Sequence, residues 1–302
     1  MSIPEMEYPR RATRAVRVGF DRSQVVIGGD HPVVIQSMIT EETHNVPNAV
    51  EQIIAMHKAG AEIVRVTTPN LAEAKCLADI KAQLKQKYMD VPLVADVHHQ
   101  GSDIAVEVAK YVDKIRINPG NIGGDDKVAE VVTAAKKAGI PMRIGANGGS
   151  LPKHLEDLAA EDQAEALVEA ALEEVRLLEK LDYRDFKISV KSSHVPTMIR
   201  AYRMLAAKVP YPLHLGVTEA GPPSTGAIKS AVGIGSLLAD GIGDTIRVSL
   251  SEDPVHELPV CYEILQALGL RKTQVEFIAC PSCGRTKFDL PTVLNQVKAA
   301  TS

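Results

Sequence analysis

A (β/α)8 TIM barrel is the fold class this sequence predicts, and three observations predict it. Short runs rich in β-branched residues recur eight times along the 302 residues. Amphipathic stretches of helical period separate them. No second pattern interrupts the series, so each parallel strand has the crossover helix it requires and the eighth can close on the first. The same alternation also suits a doubly wound open sheet, which stays as the alternative architecture.

Residues 1–32 form an N-terminal segment in which "VRVGFDRSQVVIGGDH" reads as a small hairpin over the barrel floor. The eight strands follow as "VVIQSM" from Val33, "IVRVT" from Ile63, "LVADV" from Leu93 and "KIRIN" from Lys114, then "MRIGAN" from Met142, "FKISVKS" from Phe186, "LHLGVTE" from Leu213 and "TIRVSL" from Thr245. Between them "EQIIAMHKAG" is a helix ending at a glycine, Gly60, which tolerates the left-handed turn there. "AEALVEAALEEVRLLEKL" puts Leu167, Ala171, Val175 and Leu178 on one helical face. "DPVHELPVCYEILQALG" opens with Asp253 as N-cap and Pro254 at the first helical position, and stops at Gly269. The barrel is therefore assigned to residues 33–270. The remaining residues, 271–302, are too few to fold alone unless a metal ties them down.

Composition narrows the function classes. With 45% apolar and 24% charged residues the chain can bury a large core. No apolar run reaches the roughly 20 residues of a membrane helix, and the N-terminus lacks the apolar stretch of a signal peptide. The expectation is a cytoplasmic protein without membrane contact. A net charge of −4 argues against general nucleic-acid binding, so any anion site must be a local cluster of positive charge. "GPPSTGAIKS" has P-loop glycine spacing but Ala227 where the lysine belongs, and no G-x-G-x-x-G follows a strand. Of the four cysteines, Cys76 and Cys261 fall in helical patterns and read as buried apolar fillers, whereas Cys280 and Cys283 form a Cys-x-x-Cys suited to a metal or redox role. A closed metal site needs about four ligands, so two are unaccounted for.

In such barrels the chemistry lies where the strands end. The residues closing the runs are Gln36, Arg65, Thr67, Asp96, His98, Arg116, Asn118, Arg143, Asn147, Ser189, Lys191, Glu219, Arg247 and Ser249. Four arginines and one lysine at equivalent positions of five strands imply a substrate with several negative charges, most simply two phosphates. Burying them all unpaired for purely structural reasons would cost several kcal/mol each. Asp96 and Glu219 either pair with those arginines or supply a proton. His98 and His99 are either polar loop residues or ligands. His214 lies inside a strand run and reads as a core histidine.

The motifs "VVIQSM", "GAEIVRVTTP", "VADVHH", "IRINPGNIG", "RIGANGGSL", "KSS", "TEAG", "GIGDTIRVSLSEDP" and "ACPSCGRT", in this order, resemble the 4-hydroxy-3-methylbut-2-enyl diphosphate synthase family of the methylerythritol phosphate route to isoprenoids. That resemblance implies a barrel followed by a [4Fe–4S] domain. It implies reductive ring opening and dehydroxylation of 2-C-methyl-D-erythritol 2,4-cyclodiphosphate, with ferredoxin or flavodoxin as external electron donor. Carried onto this sequence, Arg65, Arg116, Arg143, Lys191 and Arg247 would hold the phosphates, with Asn118, Asn147 and Ser249 as neutral donors and His98 in the same substrate-binding set. Asp96 and Glu219 would be the catalytic carboxylates, Glu219 managing the proton of the departing hydroxyl. Cys280 and Cys283 would ligate iron. The family continues beyond "CPSCGR" to a third cysteine and a glutamate that complete the cluster, whereas this chain stops at Ser302. Residues 271–302 are thus expected to begin an incomplete iron–sulfur domain, and the chain alone to bind substrate without converting it. The resemblance also implies a homodimer with a shared site. The competing reading is a non-redox barrel that binds a phosphorylated ligand, with the two cysteines as half of a zinc site shared between subunits.

Overall fold

The computed structural model describes residues 9–98, 101–149 and 151–301. Two short strands, β1 (Val16–Val18) and β2 (Val25–Ile27), pair antiparallel as a hairpin. Eight parallel strands follow: β3 (Val34–Met38), β4 (Ile63–Thr67), β5 (Leu93–Asp96), β6 (Lys114–Arg116), β7 (Met142–Asn147), β8 (Phe186–Lys191), β9 (His214–Leu215) and β10 (Thr245–Ile246). They run β8-β7-β6-β5-β4-β3-β10-β9 around one sheet. A parallel bridge from Ile188 to Leu213 joins its two ends, and Ile188 N donates to Pro212 O at 2.9 Å. The sheet is a closed barrel, which excludes the open alternative.

Around it run α1 (Val46–Lys58), α2 (Leu71–Gln86), α3 (Asp103–Val108), α4 (Pro119–Ile122), α5 (Asp125–Ala138), α6 (Glu156–Glu161), α7 (Gln163–Lys180), α8 (Val195–Ala206), α9 (Pro223–Ala239) and α10 (Glu257–Ala267). Leu167, Ala171, Val175 and Leu178 of α7 are all buried, as their spacing on one face requires. Two details differ from the sequence reading. Asp253 caps a 3-10 turn, accepting from Val255 N at 3.0 Å, and α10 begins only after it. β9 and β10 are two residues each, shorter than their β-branched runs suggest. Their chains come very close there: a Cβ on Gly216 would lie 2.8 Å from Arg247 O.

Inward-facing residues alternate along each strand, so the lumen is layered. At the bottom Val34, Ile63 and Val94 pack with Val18 and Ile27 of the hairpin, forming an apolar cluster apart from the main core. The hairpin thereby plugs the N-terminal end of the barrel. After α10 the chain is held at that same end, because Arg271 Nη2 donates to Val33 O at 2.8 Å and pairs with Glu62 at 2.9 Å. Beyond it no residue from 272 to 301 is buried, including those of the last helix, α11 (Leu290–Thr301). No helix among the described residues is long and apolar enough to cross a membrane.

Candidate active site

Two residues above the apolar layer, the same strands turn to charge. Ile63 gives way to Arg65 and Val94 to Asp96, and Arg116 of β6 lies opposite Asp96, all buried. Arg143 of β7 is 2% exposed, Lys191 closes β8, and Arg247 follows β10. Each of these cations feels the others. Burial foremost, then Arg247 and Arg116, brings Arg65 down to about 10, against the pull of Asp96. Burial, then Arg143, Arg65, Arg247 and Arg116, pushes Lys191 well below the usual ammonium range.

Among the described residues, two buried carboxylates form ion pairs with these cations. Asp96 Oδ1 lies 3.0 Å from Arg116 Nη1, and its Oδ2 lies 3.4 Å from Arg65 Nε and 3.2 Å from His98 Nε2. Burial would raise Asp96, but the two arginines and His98 outweigh it and hold the carboxyl well below its usual range. An ionised Asp96 suits orienting Arg65 and Arg116 better than donating a proton. The second carboxylate, Glu257 of α10, sits 3.5 Å from Arg247 Nε and accepts from Ser37 Oγ at 2.6 Å and from Leu250 N at 3.1 Å. The five cations outnumber the carboxylates they are ion-paired with, five to two, among the described residues. Arg143 carries the clearest mark of that imbalance, since its buried Nε and Nη1 have no hydrogen-bond partner.

The other sequence-predicted residues rim this cluster unevenly. Asn118 caps α4, its Oδ1 accepting from Gly120 N at 3.2 Å. Asn147 ends β7 directly opposite Lys191 and is half-buried, as is Ser249 after β10. His98 touches both Asp96 and Arg116 with its side chain 46% exposed. His99 lies outside the described residues. Glu219 is exposed, in a left-handed backbone conformation at φ 51°, and makes no ion pair among the described residues. The structure therefore brings Asp96, and not Glu219, into the arginine cluster. Cys280 and Cys283 are both exposed on the segment after α10. Hydrogen bonds from the Arg285 backbone and side chain lower the Cys283 thiol, which favours the thiolate a metal requires.

Two readings are corrected. Gln36 does not close its strand: Met38 does, with Arg65 against its sulfur, and Gln36 lies one layer deeper. Cys261 is fully buried, but Cys76 is only half-buried, its Sγ donating to Ala72 O at 3.4 Å. The sequence reading also missed Glu257 and the buried Lys114 and Lys187. The lysines had a signal, since Lys114 shares strand parity with Arg116, and Lys187 with Lys191. Glu257 had none, because its partner Arg247 is reached across a turn.

A closed parallel barrel whose mouth gathers four guanidinium groups and one ammonium group defines a (β/α)8-barrel protein with chemistry suited to an anion. Residues 13–262 match the GcpE TIM-barrel domain. The ferredoxin-type 4-hydroxy-3-methylbut-2-en-1-yl diphosphate synthase of Synechococcus elongatus is 52% identical over 97% of this chain and 77% of its own length. That of a Synechocystis species is 51% identical over 97% and 78%. The chain belongs to the GcpE family. Among solved structures, dihydropteroate synthase of Xanthomonas albilineans aligns with a TM-score of 0.54 at 13% identity, over 84% of this chain and 99% of that one. Type I 3-dehydroquinate dehydratase of Clostridium difficile aligns with a TM-score of 0.57 at 16% identity, over 83% and 98%. At such identities these two share the barrel fold alone.

An iron–sulfur cluster is implied by the family. Cys280 and Cys283 offer two thiols of suitable spacing, but no group of three or more His, Cys, Asp or Glu side chains converges among the described residues. The described residues thus supply half of a ligand set and do not by themselves fit a complete cluster.

Proposed function

We propose that the barrel mouth binds 2-C-methyl-D-erythritol 2,4-cyclodiphosphate, with Arg65, Arg116, Arg143, Lys191 and Arg247 on its phosphates and Asn118, Asn147, Ser249 and His98 as further donors. The protein is an oxidoreductase of isoprenoid biosynthesis, performing the reductive ring opening and dehydroxylation that yields 4-hydroxy-3-methylbut-2-enyl diphosphate. The observation that carries the binding assignment is the buried guanidinium of Arg143, whose Nε and Nη1 have no hydrogen-bond partner among the described residues, within a cluster rich in positive charge. A desolvated cation without a partner costs several kcal/mol, and a phosphate oxygen removes that cost. Asp96 holds Arg65 and Arg116 in position for it. Glu219, outside the cluster on a left-handed turn, is free of arginine pairing and is the carboxylate assigned to the departing hydroxyl's proton. Cys280 and Cys283 would contribute two thiolates to an iron–sulfur cluster, whose chemistry would be electron transfer from an external donor of the ferredoxin type.

Arg271 anchors the chain to the barrel floor nine residues before Cys280, at the end opposite the mouth. At about 3.3–3.6 Å per residue, nine residues reach at most about 32 Å, a nearly straight climb along the barrel's own wall. A two-fold dimer packed head to tail delivers each cysteine pair to the other chain's mouth with less constraint. Calorimetric titration with the cyclodiphosphate tests the substrate assignment. One ligand per barrel, with affinity falling as salt rises, supports it, and no saturable binding at low salt removes it.

A further inference from the structure

Beneath the mouth the lumen is not filled by the branched apolar side chains usual in such barrels. Lys114 of β6 and Lys187 of β8 are completely buried there. Both donate to one oxygen, Gln36 Oε1, at 3.3 and 3.5 Å, and Lys187 also donates to Thr245 Oγ1 at 2.9 Å. Thr245 Oγ1 is in turn 2.7 Å from His214 Nδ1. Neither ammonium has an ion-pair partner among the described residues.

The charges facing the pair come from every wall. Arg143 lies beside Lys187 in the β7–β8 register, and Arg65 faces both lysines from β4. Arg116 stands two residues above Lys114, and Lys191 four above Lys187. His214 faces them from β9 and Arg247 from above β10. Of the carboxylates, Asp96 is taken up by Arg65 and Arg116, Glu257 by Arg247, and Asp113 by Lys81 and Leu93 N. Two ammonium groups sharing one amide oxygen in a dry layer, under a canopy of guanidiniums, repel one another and lack solvent. Burial first, and then Arg143 and Arg65, brings Lys114 down to about 7 against a hydrogen bond with Lys187 and the pull of Asp113, and burial with Lys114 and Arg143 holds Lys187 well below the usual ammonium range.

We propose that Lys114 and Lys187 are a proton-accepting second cation layer of the anion site: the pair is under-protonated in the empty barrel and gains a proton when a diphosphate fills the mouth. A strand rises about 3.3 Å per residue, so Lys114 lies only about 7 Å below the Arg116 layer. At that range in a low-dielectric lumen, new negative charge shifts a lysine strongly toward its ammonium form. The charge thus appears only when the ligand is present, and the empty barrel is spared a further buried cation. Polar neighbours already in place, Gln36 and Thr245, accept the hydrogen bonds of the charged form.

This inference rests on the mouth being the cyclodiphosphate site, and calorimetry separates the two. Each phosphorus of the cyclic ligand carries one ester and the shared anhydride oxygen, leaving a single strongly acidic hydroxyl that does not titrate near neutral pH, so any proton taken up on binding goes to the protein. Titrations at pH 8 in buffers of different ionisation enthalpy should give an uptake of about one proton per ligand in the unaltered chain. Lys187→Met and, separately, Lys114→Met should each cut that uptake by more than half. Uptake unchanged in both would place the proton elsewhere, on Lys191 or His98, and overturn the proposal. Should neither variant fold, the unaltered chain decides. Affinity falling close to tenfold per pH unit between about pH 7.5 and 9 supports the pair, and a flat profile contradicts it. Binding without uptake defeats this inference alone, whereas no binding defeats the reading of the mouth as well.

Discussion

The two ends of one lumen, built from the same strands, follow opposite rules. At the floor Val34, Ile63 and Val94 meet Val18 and Ile27, each almost wholly hidden from water. Two residues further along, the inward positions hold Gln36, Arg65 and Asp96, and the mouth above keeps more buried cations than carboxylates. The floor stabilises the fold, contributing about 1.5–3 kcal/mol per fully buried aliphatic side chain. The mouth carries a cost that only a ligand offsets. A change at the floor should therefore affect folding and leave binding alone, and a change at the mouth should do the reverse.

The largest expected departure from that division lies just behind the mouth. Glu174 of α7 is 8% exposed, with its Oε2 buried and unpartnered. Burial pushes its carboxyl up to about 8, with Glu173 adding to the rise and Arg116 opposing it. A raised folded-state value means stability that is fully present below the unfolded carboxyl's 4.5 and is lost as pH rises to about 8. Glu174→Gln should remove that slope. Compared by urea denaturation, it should match the parent near pH 4.5 and exceed it at pH 8.5 by on the order of 4 kcal/mol. Equal stabilities at both pH values would mean that Glu174 has a partner in solution.

Next comes the floor itself. Ile63→Ala should cost about 2–4 kcal/mol of unfolding free energy through lost transfer and a residual cavity, while the affinity of the folded protein for the cyclodiphosphate stays within about twofold. A large affinity loss would show that the apolar layer also sets the geometry of Arg65.

Glu219 supplies a further contrast at the rim. In an assembly carrying the complete cluster, Glu219→Gln should lower turnover by a factor on the order of 10² with affinity nearly intact, because one exposed carboxylate adds little to anion binding. Turnover at the parental level would return the proton to His98 or water.

How much of this was legible beforehand follows from what alternation can encode. Parity along each strand marks which residues face inward, so the closed barrel, the hairpin sequence and the cations at 65, 116, 143, 191 and 247 could all be picked out from the runs. Depth is not encoded by parity. Gln36 reads as a strand end because it is the first polar residue of its run, although β3 continues to Met38. Lys114 and Lys187 were passed over because a lysine at the start of a strand usually reaches water, whereas here the hairpin seals the floor below them. Cys76 misled for a related reason: helical periodicity gives an angular position, and a residue at the edge of the buried face is only half covered. Glu257 depends on a tertiary encounter with Arg247 and Ser37 that no local pattern announces.

The central claim is that the mouth's unpaired cations exist for the ligand, and one variant puts both halves of it in a single experiment. Arg143→Met removes a buried guanidinium whose Nε and Nη1 have no partner and replaces it with an apolar side chain of similar length. Paired calorimetry and thermal unfolding should show the cyclodiphosphate bound at least about tenfold more weakly, from a lost charge-assisted contact of about 1.5–3 kcal/mol, while the ligand-free protein becomes more stable. Unchanged affinity together with a less stable protein would contradict the account, because Arg143 would then be a structural residue rather than part of the anion site.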